Sequence, residues 1–178
     1  MTSLRTTALL AAIAVAAALA SNPNDVRAAG DAQPASGVAP PVTDGFGAAL
    51  KFEGTWDEQI TFRNCDDGSP LSSAHGQNRV IRGGAFVATT MAPPTVQGPG
   101  LGNWWYDPPG LHYVSAFRHF MYNPGTGAPT GWQIVERDTY LSNDGNSSTG
   151  DVTFGMYDLA GNQTSSGCAT TVGTRILE

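Results

Sequence analysis

The chain has 178 residues, enough for one domain with a sizeable core, and carries a formal charge of −6 from nine basic and fifteen acidic side chains. Its single lysine is Lys51 and it holds no basic cluster, which argues against nucleic acid as a partner. With 22 glycines and 12 prolines the composition suits short strands joined by tight turns.

The N-terminus reads as a signal peptide over residues 1–20. Arg5 supplies the positive region, residues 8–20 form an unbroken apolar run, and Ala18-Leu19-Ala20 offers a small-x-small cleavage site before Ser21. A second such site, Val26-Arg27-Ala28, leaves the cleavage point open. The run is shorter than the roughly 20 apolar residues that span a bilayer, and no cysteine sits at the cleavage site, so no stable membrane anchor is expected. The expected location is secreted or periplasmic. Residues 21–47, rich in Ala, Pro, Gly and Asp without periodicity, read as a disordered linker to a domain over residues 48–178.

From Trp56 onward one set of alternate positions reads Trp56, Glu58, Ile60, Phe62, and the other Asp57, Gln59, Thr61, Arg63. That period of two marks a strand with one buried and one wet face. Asp66-Asp67-Gly68-Ser69-Pro70 then turns the chain toward a second strand near residues 76–82. Gly83-Gly84 makes a hairpin into a third strand, 85–90. A long Pro/Gly loop, 91–101, precedes an aromatic strand, 102–107, that contains Trp104-Trp105-Tyr106. There, alternate members fill the core and the middle one lies outside; a carbohydrate-stacking platform is the other reading. Further strands are expected at 111–122, 131–141, 148–158 and 164–176, the sixth and seventh joined by the hairpin signal Asn143-Asp144-Gly145. Eight hairpin-linked strands and no helix-period segment give an all-β domain, either an up-and-down antiparallel barrel or a sandwich.

The register decides for the barrel. Opposed residues of an antiparallel pair have numbers that add to a constant. Trp56 with Arg175 and Cys65 with Cys168 satisfy nearly the same constant, so the first strand can pair with the last and the two cysteines can join in a disulfide. Export to an oxidising compartment favours that bond.

The Gly54-x-Trp56 opening and the terminal Arg175 together resemble the signature of lipocalins and the wider calycin group, over residues 52–176. The resemblance implies an eight-stranded barrel with Trp56 at its closed end and Arg175 packed across it. It also implies that a short helical turn near residues 46–50 plugs the base. The Thr-Asp-Tyr-type turn found mid-chain in lipocalins is absent, which points to a bacterial calycin-like family of unassigned role.

If Trp56 faces inward, so do Glu58, Ile60 and Phe62, and on the last strand Gly167, Ala169, Thr171, Gly173 and Arg175. That last row is mostly small and leaves room. Carried across the seventh and sixth strands, the inner face holds Val152, Phe154 and Met156, then Gln133, Val135, Arg137 and Leu141. Carried once more, it holds Val114, Ala116, Arg118 and Phe120. A slip of one residue reverses every assignment on a strand. Glu58 and Arg175 are expected to pair at the base, since a buried charge needs a partner. The candidate ligand site is Arg118, Phe120, Val135, Arg137, Phe154 and Met156: apolar walls for a tail, with arginines that either meet an anionic headgroup or face solvent. The open end is framed by residues 66–74, 91–101, 123–130 and 159–162, with 91–101 as the natural lid.

No nucleophile elbow, Cys-x-x-Cys, His-Glu-x-x-His or phosphate-cradling loop occurs, and no catalytic residue, metal or cofactor is expected. His112 and His119 lie on opposite faces of one strand, which suits neither a two-histidine metal site nor a haem clamp and leaves His119 as a lone haem ligand the residual reading. Asp66 and Asp67 read as a solvated turn. Two glycosylation sequons, at Asn146 and Asn162, stay unused behind a bacterial leader. The leading function is binding or carrying a small apolar molecule, with or without an acidic headgroup. The alternatives are a barrel-type cyclase similar to allene oxide cyclases and dirigent proteins, which needs cavity shape more than a motif, and a protein- or glycan-binding module.

Overall fold

The computed structural model describes residues 46–176; the expected signal peptide and nearly all of the linker lie outside them. A short helix, α1 (Phe46–Phe52), precedes eight strands: β1 (Gly54–Arg63), β2 (Pro70–Ile81), β3 (Ala85–Thr90), β4 (Gly100–Tyr106), β5 (His112–Tyr122), β6 (Pro129–Leu141), β7 (Ser147–Asp158) and β8 (Gln163–Ile176). Each strand pairs antiparallel with its sequence neighbour, and β8 pairs with β1, so the sheet closes as an up-and-down barrel. Closure runs on the expected register, with Trp56 opposite Arg175 and Arg63 opposite Cys168. Cys65 and Cys168 are disulfide-bonded, with Cα atoms 5.4 Å apart. Among the described residues no helix is long and apolar enough to cross a membrane.

The strand ends differ from expectation mainly at β2, which begins at Pro70, several residues early. Residues 70–73 are exposed on both faces, so they carry no alternation to read. A strand that rises past the filled part of a barrel has nothing to pack against and needs no apolar row.

The core lies at one end. Phe52, Trp56 and Tyr113 are fully buried and pack with Val80, Phe86, Trp104 and Leu141. Burying each of the large side chains contributes about 1.5–3 kcal/mol. Alternation on β4 places Trp104 in this core and leaves Trp105 outside it, while Trp104 Nε1–H donates to the Ile81 carbonyl at 2.8 Å. The helix serves as the plug: the Phe52 ring stacks on Tyr113 at 4.6 Å and meets Trp104 edge-on at 5.7 Å. Trp56 Nε1–H donates to the Phe52 carbonyl at 3.0 Å, and the Tyr113 hydroxyl donates to the Ala48 carbonyl. Burial pushes the Tyr113 pKa up to about 12.

Arg175 ties these parts together. Its guanidinium lies over the Trp56 ring, 4.3 Å from the centroid. Its Nη1 and Nη2 donate to the carbonyls of Glu53 and Lys51, and Nε donates to the Gly145 carbonyl at 2.7 Å. Gly54 has φ of 137°, and a Cβ there would lie 2.5 Å from Arg175 Nη1. The glycine of the Gly-x-Trp opening is thus required both by backbone conformation and by the approach of the arginine.

Arg175→Lys keeps the charge but can reach only part of this carbonyl set and stacks poorly on the indole. The expected loss is about 2–4 kcal/mol in urea unfolding, from hydrogen bonds to a charged group worth about 1.5–3 kcal/mol each. Trp56→Ala should lose about 3–5 kcal/mol in the same assay.

Candidate functional site

Above the base core the barrel is hollow, with a cavity of about 550 Å³. Its apolar walls come from Ile60 and Phe62 on β1, Phe117 on β5, Val135 on β6, Val152 and Phe154 on β7, and Ala169 on β8. The small residues of β8 do leave room, but part of it is taken. The Phe154 ring lies where a side chain at 167 would stand, 2.3 Å from a Cβ at Gly167.

The floor is ionic. Glu58 and Arg137 are both about 3% exposed at the side chain and pair through Arg137 Nη1 and Glu58 Oε2. Arg137 Nε also donates to Thr139 Oγ1 at 2.9 Å, and its guanidinium lies over the Phe86 ring at 5.6 Å. Glu58 Oε1, Arg137 Nη2 and Ser115 Oγ are buried without a protein partner. The expected base pair of Glu58 with Arg175 is therefore corrected: both side chains are structural, but Glu58 is neutralised by Arg137 while Arg175 is spent on backbone carbonyls.

The roof is the loop 91–99, of which Met91, Ala92 and Gln97 line the cavity. It is laced to β5: Gly98 N–H donates to the Phe120 carbonyl at 2.9 Å and Tyr122 N–H to the Val96 carbonyl at 2.8 Å. Side chains fasten its inner side. Thr90 Oγ1–H donates to Gln97 Oε1 at 2.7 Å, and Gln97 Nε2–H donates to Gln133 Oε1 at 3.0 Å. His119, 2% exposed, hydrogen-bonds through Nδ1 to the Gly98 carbonyl at 2.8 Å. A carbonyl can only accept, so Nδ1 carries the proton and Nε2 keeps its lone pair. Burial lowers the His119 pKa and the Gly98 hydrogen bond offsets this in part, so the ring is neutral at pH 7.

Of the six expected ligand-site residues, Val135, Arg137 and Phe154 line the cavity, and Met156 is half-buried but off its wall. Arg118 and Phe120 are corrected to the outer face. Phe120 is 54% exposed, and Arg118 lies over the Trp132 ring at 5.2 Å on the outside. With them, Val114 and Ala116 exchange places with Tyr113, Ser115, Phe117 and His119. The physical cause is a register shift where β5 meets β6, between Met121 and Tyr122, which moves the pairing by one residue and reverses the faces. His119 and Phe117 were therefore missed as wall residues. His112 does lie on the opposite face from His119, stacked on Tyr140 and within 2.8 Å of Asp138.

No protein-family model and no curated protein matches the chain. Among solved structures, the chain is similar to the crystal structure of Rv2717c from M. tuberculosis, at 15% identity and a TM-score of 0.36, covering 76% of this chain and 99% of that one.

Two outcomes test the geometry. Arg137→Met alone strands the Glu58 carboxylate in the interior and should cost about 3–5 kcal/mol, whereas Glu58→Leu with Arg137→Met should recover most of that loss. A double-mutant cycle by urea unfolding measures the difference. The second outcome is a pH effect. Because the folded protein binds the His119 proton less readily than the unfolded chain, this group's contribution to stability is complete above the ordinary histidine pKa of about 6.5 and is lost as pH falls toward the lower folded value. Thermal unfolding between pH 7.5 and 5 should show that slope, and His119→Gln should flatten it. Asp67, Asp144 and Asp158, whose pKa values are lowered by hydrogen bonds in their turns, titrate below this window.

Proposed function

We propose that this protein is an exported barrel that binds, and carries, a small hydrophobic molecule in its interior. The observation that carries this reading is the 550 Å³ cavity, walled by Ile60, Phe62, Phe117, Val135, Val152 and Phe154 and roofed by a loop. Its size falls within the range of small-molecule sites, about 300–1,000 Å³, and its chemistry matches theirs: apolar walls with a few placed polar groups. Val135 and Phe154 would contact the apolar body of the ligand, with Arg137 beneath it and Met91 and Gln97 above. Export is supported by the signal-like leader at residues 1–20 and by the Cys65–Cys168 disulfide, a bond that persists in oxidising compartments.

The test is occupancy. Native mass spectrometry of protein purified from its own host should show a bound lipid-like mass, and a neutral naphthylamine probe should gain fluorescence on adding the empty protein. Ala169→Phe places a ring into the cavity from β8. It should lower probe affinity about tenfold or more while leaving a cooperative unfolding transition, since overpacking of this kind costs about 1–3 kcal/mol. An unchanged affinity in a folded Ala169→Phe variant would place the probe elsewhere and remove the cavity from the function.

A further inference from the structure

The cavity holds one polar arrangement that neither the floor nor the walls require. His119 and Gln133 stand directly opposite each other on β5 and β6, and both face the cavity. The Gly98 carbonyl fixes the His119 proton on Nδ1 and so leaves Nε2 as an acceptor. Gln133 Oε1 is taken by Gln97, which leaves the Gln133 amide N–H groups as donors. Both residues line the cavity, and neither Nε2 is among the enclosed, unpartnered polar atoms of the described residues. An acceptor and a donor thus stand on opposed positions of neighbouring strands beneath the roof loop, in a chamber whose apolar walls are interrupted by the ionic floor and by neutral polar groups such as Asn78, Thr90 and Thr171.

We propose that His119 and Gln133 form a hydroxyl-recognition site, and that the ligand is a neutral, largely hydrophobic alcohol. This rests on the cavity being the ligand site and names the class of molecule it takes. A hydroxyl group is the small function that donates and accepts at one atom. It gives its proton to His119 Nε2 and takes a hydrogen bond from the Gln133 amide. A carboxylate can only accept. It would set an anion against the His119 lone pair, and among the described residues neither arginine is free in the cavity to compensate, because Arg137 is neutralised by Glu58 and Arg118 lies outside. An alkane or ether leaves the histidine lone pair desolvated without a donor, the situation that buried polar sites discriminate against most strongly. A metal ion on Nε2 would need further ligands, and the described residues contain no group of three or more His, Cys, Asp or Glu side chains able to hold one. The first residue of β4 makes room for the ring: a Cβ on Gly100 would lie 2.8 Å from His119 Nε2, so a larger residue there would collide with the imidazole.

The experiment compares three probes of equal chain length at neutral pH, 1-decanol, its methyl ether and decanoate, by displacement of the naphthylamine. The full-length exported protein should bind the alcohol about tenfold or more tightly than either of the others, a discrimination of the size expected for one hydrogen-bonded group. Nitrogen-15 NMR of the imidazole should show the His119 Nε2 resonance moving with decanol and not with the ether. His119→Phe, which keeps a ring in the space but removes the lone pair, should abolish the preference for alcohol over ether, with ether affinity rising toward that of the alcohol. Equal binding of alcohol and ether to the unsubstituted protein overturns the hydroxyl site and leaves the cavity reading standing. A preference that persists in a folded His119→Phe variant likewise overturns it. Failure of all three probes to displace the naphthylamine removes the cavity reading, and this proposal with it.

Discussion

The guanidinium of Arg175 is the contact on which the closed end depends. A sheet of eight strands becomes a barrel only if the first and last strands meet, and at the base that seam is otherwise a ladder of ordinary backbone hydrogen bonds. Arg175 adds to it a planar cation that lies on the Trp56 indole and donates to carbonyls from the end of α1, the residue after it, and the β6–β7 turn. Those carbonyls include ones that a helix terminus leaves unsatisfied. One side chain thereby orients the plug, caps it and locks the seam. Phe52 stays seated on Tyr113 and Trp104 because the chain that leads away from it is held at both carbonyls, and Gly54 is the residue that makes the approach sterically tolerable.

Much of this was legible in the residues. The alternation of Trp56, Glu58, Ile60 and Phe62 fixed β1, and number sums fixed its pairing with β8 and the Cys65–Cys168 bond. What was not legible was the parity of β5. Its two faces read Tyr113, Ser115, Phe117, His119 and Val114, Ala116, Arg118, Phe120. Neither is clearly the more apolar, so the strand itself gives no answer. The assignment had to be carried across the 123–128 loop, where a one-residue shift reversed it. A bulge leaves no reliable trace in composition. The two site residues on β5 were therefore misplaced together, while those on β6 and β7, joined by a tight hairpin, kept their faces.

The same parity decides which charged and polar groups face the cavity. With Arg118 inside, the interior would hold a free cation and an anionic ligand would follow. With His119 inside, the interior holds one ion pair and a neutral imidazole, so its net formal charge is zero. The Glu58–Arg137 pair does not by itself argue for stability, because desolvating two charges offsets most of their attraction. Its effect is on polarity: it gives the floor hydrogen-bonding atoms, three of them unpartnered with Ser115 included, without giving the chamber a net charge. The proposed ligand is accordingly apolar along the walls and neutral at its polar end.

The seam between β1 and β8 is held in two different ways because the two ends of the barrel are filled differently. At the base, aromatic packing and Arg175 act together, and no covalent link is needed. At the mouth, the space that packing would occupy is the cavity, so β1 and β8 lose the inward contacts that hold strands together elsewhere. Residues 163–166 are exposed, as are 70–73 on the other side of the opening. The disulfide lies at this end, from Cys65 just past the last residue of β1 to Cys168 on the outer face of β8. It spans 103 residues of chain, for which loop closure alone restrains the unfolded state by about 4–5 kcal/mol. A covalent bond on the outside thus replaces a packed core on the inside. That substitution is what allows the upper half of the barrel to remain hollow and still stay closed.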